Sequence, residues 1–152
     1  INNSKEIDGD VFINIEYSGL DLAGNRYILK SAEAFNSDTN SEIVNMRSVQ
    51  ATFYFKDNTV LNVWSDEGEY NNQTLDMKFR GSVKAIYENS TLYAGQADYS
   101  NSKSFLIISN NVKIDDIRGK IVADKLLFDI KKQKLNIASF NDGKINANIR
   151  LK

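Results

Sequence analysis

Few residues in this chain could do covalent chemistry. Histidine and cysteine are both absent, which removes imidazole general bases, thiol nucleophiles, disulfides, thiolate metal ligands and the commonest transition-metal ligand. The remaining candidates are carboxylates. Asp66, Glu67 and Glu69 cluster ahead of Tyr70, and Asp115-Asp116 form a second group. Two opposed carboxylates could cleave a glycosidic bond, and a ring of them could hold calcium. Neither arrangement is expected here. Adjacent residues on a strand point to opposite faces, and no calcium loop with its glycine and terminal glutamate is present, so these acids read as solvated turns. No enzyme, metal site or cofactor is expected. Asn-x-Ser/Thr triplets begin at Asn2, Asn72 and Asn89; an asparagine-rich chain produces these by chance, and they are assigned no role.

Non-covalent chemistry is better supplied. Basic and aromatic residues interleave in Lys78-Phe79-Arg80 and in Lys84-Ala85-Ile86-Tyr87, as in a polynucleotide groove. The formal net charge is only −1, so no basic field attracts nucleic acid, and strand alternation puts these charges on the solvated outside of a sheet. No nucleic-acid partner is expected. Apolar residues offer more. Phe53, Leu61, Val63, Tyr70, Leu75, Met77, Phe79, Leu92, Tyr99, Phe105, Ile107, Phe128, Leu135 and Ile137 are candidates for an inward face. Such a face could line a lipid site, where each buried methylene is worth about 0.8 kcal/mol, or could fill a dry core with the same residue types. Trp64 and Tyr87, if exposed, could instead stack on sugar rings, which keeps a polysaccharide-binding or adhesive β-sandwich as the alternative.

Strands must position these residues. With 152 residues, 41% hydrophobic and 26% charged, the chain suits one folded domain spanning 1–152. Proline is absent and the glycines mostly sit in polar turns such as Asp8-Gly9-Asp10, Ala23-Gly24-Asn25 and Asn141-Asp142-Gly143. Leu75 to Arg80 alternates strictly, which puts Leu75, Met77 and Phe79 on one face and Asp76, Lys78 and Arg80 on the other. The same period runs through Val11, Ile13, Ile15 and Tyr17, and through Ile145, Ala147, Ile149 and Leu151. No segment has a helical period, and Ile28 to Phe35 is read as a strand despite its Ala and Glu.

The strands repeat. Phe35, Tyr70, Tyr99 and Phe128 each precede a polar turn and then an apolar segment, and the last two intervals are both 29 residues. Each unit is a hairpin with a small polar element, Gly81-Ser82-Val83 or Asn110-Asn111-Val112, suited to a bulge or tight bend. One hairpin cannot bury a face, so stacked units are expected to form an all-β antiparallel sandwich or jelly roll with opposed apolar faces. Its terminal strands, Val11 to Tyr17 and Ile145 to Leu151, are the edges at which another chain could add a strand.

These segments resemble a known family. Arg26-Tyr27-Ile28-Leu29-Lys30-Ser31-Ala32-Glu33 is similar to the opening "G-x-x-Y-x-L-x-A" motif of the LptC proteins. "SDEGEYNNQTLDMKFRGSV", "AGQADYSNSKSFLIISNNV" and "VADKLLFDIKKQKLNIAS" resemble their OstA-type repeats. The resemblance runs from Val11 to Ile137; Asn110-Asn111-Val112 departs from the usual Gly-Asn-Val. It implies an OstA-like periplasmic domain of the lipopolysaccharide export machine, anchored to the inner membrane by an amino-terminal helix outside this chain. It further implies a twisted antiparallel β-jelly roll that acts as a carrier, holding lipid A acyl chains between its sheets. The cargo would arrive from the inner-membrane transporter LptB/LptF/LptG and leave to the periplasmic bridge protein LptA. By the same resemblance, Val11 to Tyr17 would face the transporter and Ile145 to Leu151 the bridge protein.

Overall fold

The computed structural model describes residues 5–7, 11–37, 39–139 and 148–150. Among them are no helices and eleven strands: β1 (Lys5–Ile7), β2 (Val11–Leu20), β3 (Arg26–Asn36), β4 (Ile43–Tyr54), β5 (Val60–Asn71), β6 (Met77–Tyr87), β7 (Ser90–Ser100), β8 (Phe105–Asp116), β9 (Gly119–Asp129), β10 (Lys134–Ser139) and β11 (Asn148–Arg150). All lie in one antiparallel sheet whose order is the chain order. The strand read over Ile28 to Phe35 is the body of β3.

Nearly every long strand is interrupted near its middle, and the interruptions line up across the sheet. Register shifts fall between Trp64 and Glu67, Arg80 and Val83, Tyr93 and Gln96, and Ser109 and Val112. Left-handed backbone sits on the same line: Asn14 (φ 55°), Ser48 (56°), Gly81 (83°), Ser82 (48°), Asn110 (70°) and Asn111 (55°). Glycine adopts this conformation freely and asparagine tolerates it, so the two small polar elements found in the sequence supply the bends on β6 and β8. Extra residues at a bulge strengthen twist and bend a strand.

Burial shows how the bends serve the core. On β4, Val44 and Met46 are buried, Arg47 and Ser48 are exposed, and Val49, Ala51 and Phe53 are buried. The inward parity therefore changes at the bend, which keeps apolar residues inside while the strand changes direction. On β6 the two-residue element Gly81-Ser82 separates inward Phe79 from inward Val83.

The single sheet thus folds along this seam, and its halves face one another. The first half carries the β2–β3, β4–β5, β6–β7 and β8–β9 turns; the second carries the β3–β4, β5–β6, β7–β8 and β9–β10 turns. Rings from strands that are not neighbours meet between them. Phe53 of β4 lies 5.1 Å from Tyr99 of β7, Tyr17 of β2 lies 4.8 Å from Tyr70 of β5, and Tyr87 of β6 lies 5.5 Å from Phe128 of β9. The architecture is the expected curled jelly roll, with its opposed faces supplied by one bent sheet.

The edges differ from expectation at one end. β1 pairs with β2 through Ile7↔Val11 and Lys5↔Ile13, so Val11 and Ile13 are covered by another strand. Among the described residues, β2 is an open edge only beyond Ile13, where Ile15 is buried and Tyr17 half-buried. At the other end β11 pairs with β10, with Ile149 opposite Leu135. Ile145, Ala147 and Leu151 lie outside the described residues.

Candidate functional site

Between the two halves lies an extended apolar interior, and most inward candidates line it. Phe53, Leu61, Val63, Tyr70, Met77, Phe79, Leu92, Tyr99, Phe128, Leu135 and Ile137 are all buried. Cross-strand pairing aligns them: Tyr70 stands opposite Met77, Met77 opposite Tyr99, Tyr99 opposite Leu106, Leu106 opposite Phe128, and Phe128 opposite Leu135. Residues paired this way share a face. The 29-residue interval thus places Tyr70, Tyr99 and Phe128 in one inward row. Phe35 is half-buried beneath Arg47, whose guanidinium sits 4.8 Å from its ring, and it does not join that row.

Three candidates are placed differently. Phe105 and Ile107 are half-buried on the outer side, while Leu106 and Ile108 point inward. Phe105-Leu106-Ile107-Ile108 is apolar on both faces, so alternation alone gives no parity there, and the pairing of Leu106 with inward Tyr99 decides it. Leu75 lies ahead of β6, with φ 67° and its N–H donated to Asn71 O at 2.8 Å; it is half-buried at the core margin. Tyr87, considered as a sugar-stacking aromatic, is fully buried, whereas Trp64 turns to the outer face and is half-buried.

Several interior residues were not among the inward candidates. Tyr27, Leu29 and Phe55 are buried; their signal was the alternation of β3 and β4, which reads as strand without showing which face is covered. Between the halves Tyr27 Oη and Tyr70 Oη lie 3.0 Å apart. Tyr99 Oη donates to Asn101 Oδ1 at 2.9 Å, and Asn101 N–H donates to Asp76 Oδ1 at 2.8 Å. Burial raises the Tyr70 hydroxyl well above the ordinary phenol range, and its bond with Tyr27 adds to this. Burial likewise raises Tyr99, reinforced by the nearby Asp21 carboxylate. These hydroxyls form a neutral polar margin along an apolar interior.

The interior is packed at its centre, and two grooves reach buried side chains at its margin. Near β2, Phe12, Ile15, Tyr17, Ala34, Phe35, Asn36 and Val44 border a groove of about 230 Å³. Near the β8–β9 turn, Ile114 and Ile121 with Asp116, Arg118, Gly119 and Lys120 border one of about 250 Å³. Asp116 there is held well below the usual carboxylate range by Arg118, whose Nε approaches at 2.7 Å, and it also accepts a bond from Ser90 Oγ. Across the gap between halves, Gln133 Nε2 of the β9–β10 turn reaches Asp57 Oδ2 at 3.2 Å and Thr59 Oγ1 at 3.1 Å, and also contacts Tyr87 Oη.

Among the described residues the clustered acids at 66–69 stay on the outer side, away from this interior. Glu69 is paired with Arg80 at 3.0 Å on the outer side, Asp66 and Glu67 are exposed, and no group of three potential metal-ligating residues converges among the described residues. Among the described residues no helix is long and apolar enough to cross a membrane.

The chain matches the family model described as lipopolysaccharide-assembly, LptC-related, over residues 3–145. No curated protein matches it. It belongs to the LptC family, a transport component whose role lies in lipopolysaccharide export.

Proposed function

We propose that this LptC-family chain is a non-enzymatic carrier that holds the acyl chains of lipid A between the two halves of its folded sheet. The observation that carries this reading is the continuous buried apolar interior between the two halves, with grooves at β2 and at the β8–β9 turn that reach its buried side chains Ile15, Ala34, Val44 and Ile114. A carrier in series needs one side to receive and another to release. Each buried methylene contributes about 0.8 kcal/mol, so acyl chains need no specific polar chemistry to bind tightly. The packed centre means that cargo must part the halves as it enters, with Met77 and the ring cluster adapting around it.

In this reading the chain acts as one periplasmic domain, tied to the inner membrane by a helix outside it. It takes lipid from the inner-membrane transporter LptB/LptF/LptG and gives it to the bridge protein LptA. The open part of β2, at Ile15 and Tyr17, is the proposed transporter-facing edge, supported by Val11 and Ile13 beside it. Ile145 to Leu151 is the proposed bridge-facing edge.

The test is photocrosslinking to purified lipopolysaccharide, with a photoreactive residue at Met77 or Leu106 and an outward control at Lys78. Labelling from Met77 and Leu106 alone is expected. A folded protein in which no inward position labels would mean a permanently closed core and would defeat the carrier reading.

A further inference from the structure

Outside the folded sheet, on the first half, a row of side chains crosses the strands in direct register. Lys30 pairs with Gln50, Gln50 with Trp64, Trp64 with Lys84, Lys84 with Tyr93, and Tyr93 with Lys113. Each successive partner is one strand away, so this is a straight line of neighbours on one face. All of them point outward: Lys30 and Lys113 are exposed, Gln50, Trp64 and Lys84 half-buried, and Tyr93 is 46% exposed. The Lys84 ammonium is held between two rings, 6.0 Å from the centroid of Trp64 and 6.0 Å from that of Tyr93. The interior does not use any of these residues.

Flat rings alternating with ammonium groups have a definite chemical complement. An aromatic ring offers an apolar face that packs against the C–H face of a pyranose, and a lysine offers a point charge suited to phosphate. Trp64 and Tyr93 stand two strand spacings apart, roughly 9.5 Å, about the length of a disaccharide. Lys84 lies between them and Lys113 beyond, so a chain laid along the row would meet ring, charge, ring, charge. The row contains no carboxylate from Lys30 to Lys113. The row runs on from Lys30 to its register partner on β2, the exposed Glu16, three strands from Trp64, and the other acids close to it on this face, Asp66 and Asp115, are each two residues along their strands and are exposed. Those flanking acids oppose a broad anionic surface such as a membrane, while leaving a narrow positive track for a single anionic chain.

We propose that the Trp64–Lys84–Tyr93–Lys113 row is a binding site for a phosphorylated oligosaccharide, separate from the interior and occupied from the outside of the sheet. It goes beyond acyl-chain carriage, and neither depends on the other. Loss of this site leaves interior labelling from Met77 intact, and loss of interior labelling leaves this site intact.

Trp64 is the only tryptophan in the chain, so its emission reports on this row alone. The experiment titrates the protein with mannopentaose phosphate, with unphosphorylated mannopentaose, and with phosphatidylglycerol vesicles, following Trp64 fluorescence at low salt. A saturable change with the phosphorylated sugar only is expected. Lys84→Gln and Tyr93→Ser should each weaken it about tenfold, the effect of one lost charge-assisted or stacking contact, while Lys78→Gln, on the other half of the sheet, should not. The proposal is overturned if mannopentaose phosphate leaves the emission unchanged, if the neutral sugar acts equally well, or if the Lys84 and Tyr93 variants bind as before. Response to the vesicles alone would overturn it too, making this a membrane-facing surface.

Discussion

The hydroxyls of Tyr27 and Tyr70 join two strands of the sheet that are not neighbours, at 3.0 Å and out of contact with solvent. A buried hydroxyl left without a partner costs about 1–3 kcal/mol, whereas removing both members of such a pair costs little. Tyr70→Phe is therefore expected to destabilise the fold by about that amount, and adding Tyr27→Phe should recover part of the loss; a denaturant-melting double-mutant cycle measures it. Strictly additive losses would mean that the hydroxyls do not interact. Gly19 belongs to the same local design. A Cβ there would lie 2.8 Å from Tyr27 Oη, so only glycine leaves that ring where it is. At this scale the sequence was legible in part. Tyr70 and Tyr99 stood out through their spacing and Tyr27 through the family-like segment that holds it, but the contact between Tyr27 and Tyr70 did not, because it joins strands distant in the chain and local periodicity carries no such information.

Among the elements, the seam decides the shape. Met77 and Phe79 were legible as inward because Lys78 and Arg80 marked the opposite face, and the bends at Gly81-Ser82 and Asn110-Asn111 were legible because small polar residues interrupt apolar strands. The β8 parity was not legible: with Phe105 to Ile108 apolar throughout, only the pairing partner Tyr99 could set it. Nor could the sequence show that the breaks align, since alignment is a property of pairing across strands. Asn110 and Asn111, both left-handed, give a direct check. Replacing Asn110 by a β-branched valine should cost about 1–2 kcal/mol, the penalty for an L-residue in that conformation, while Asn110→Gly should be neutral or slightly favourable. Thermal or chemical melting of the two variants distinguishes them, and equal stabilities would show that the seam does not constrain the backbone.

For the molecule as a whole, the contact of Gln133 with Asp57, Thr59 and Tyr87 spans the gap between the two halves. If cargo enters by parting the halves, this contact must release. Gln133→Ala is expected to lower stability by about 1 kcal/mol and to speed uptake of a fluorescent acyl probe, measured by stopped flow; unchanged uptake would place cargo passage away from this gap. The architecture class was legible from the hairpin repeat, whereas the folding of one sheet over itself was not, because stacked hairpins read the same whether they form one sheet or two. The strand order has a further consequence, for assembly over time. Because every strand pairs only with the strands before and after it in the chain, each new hairpin docks onto an edge already made and closes only a short loop. Such a meander can zip up from its amino-terminal strands as the polypeptide becomes available, long before its last residues arrive. Its folding pathway is thereby suited to a chain that emerges end first from a narrow channel.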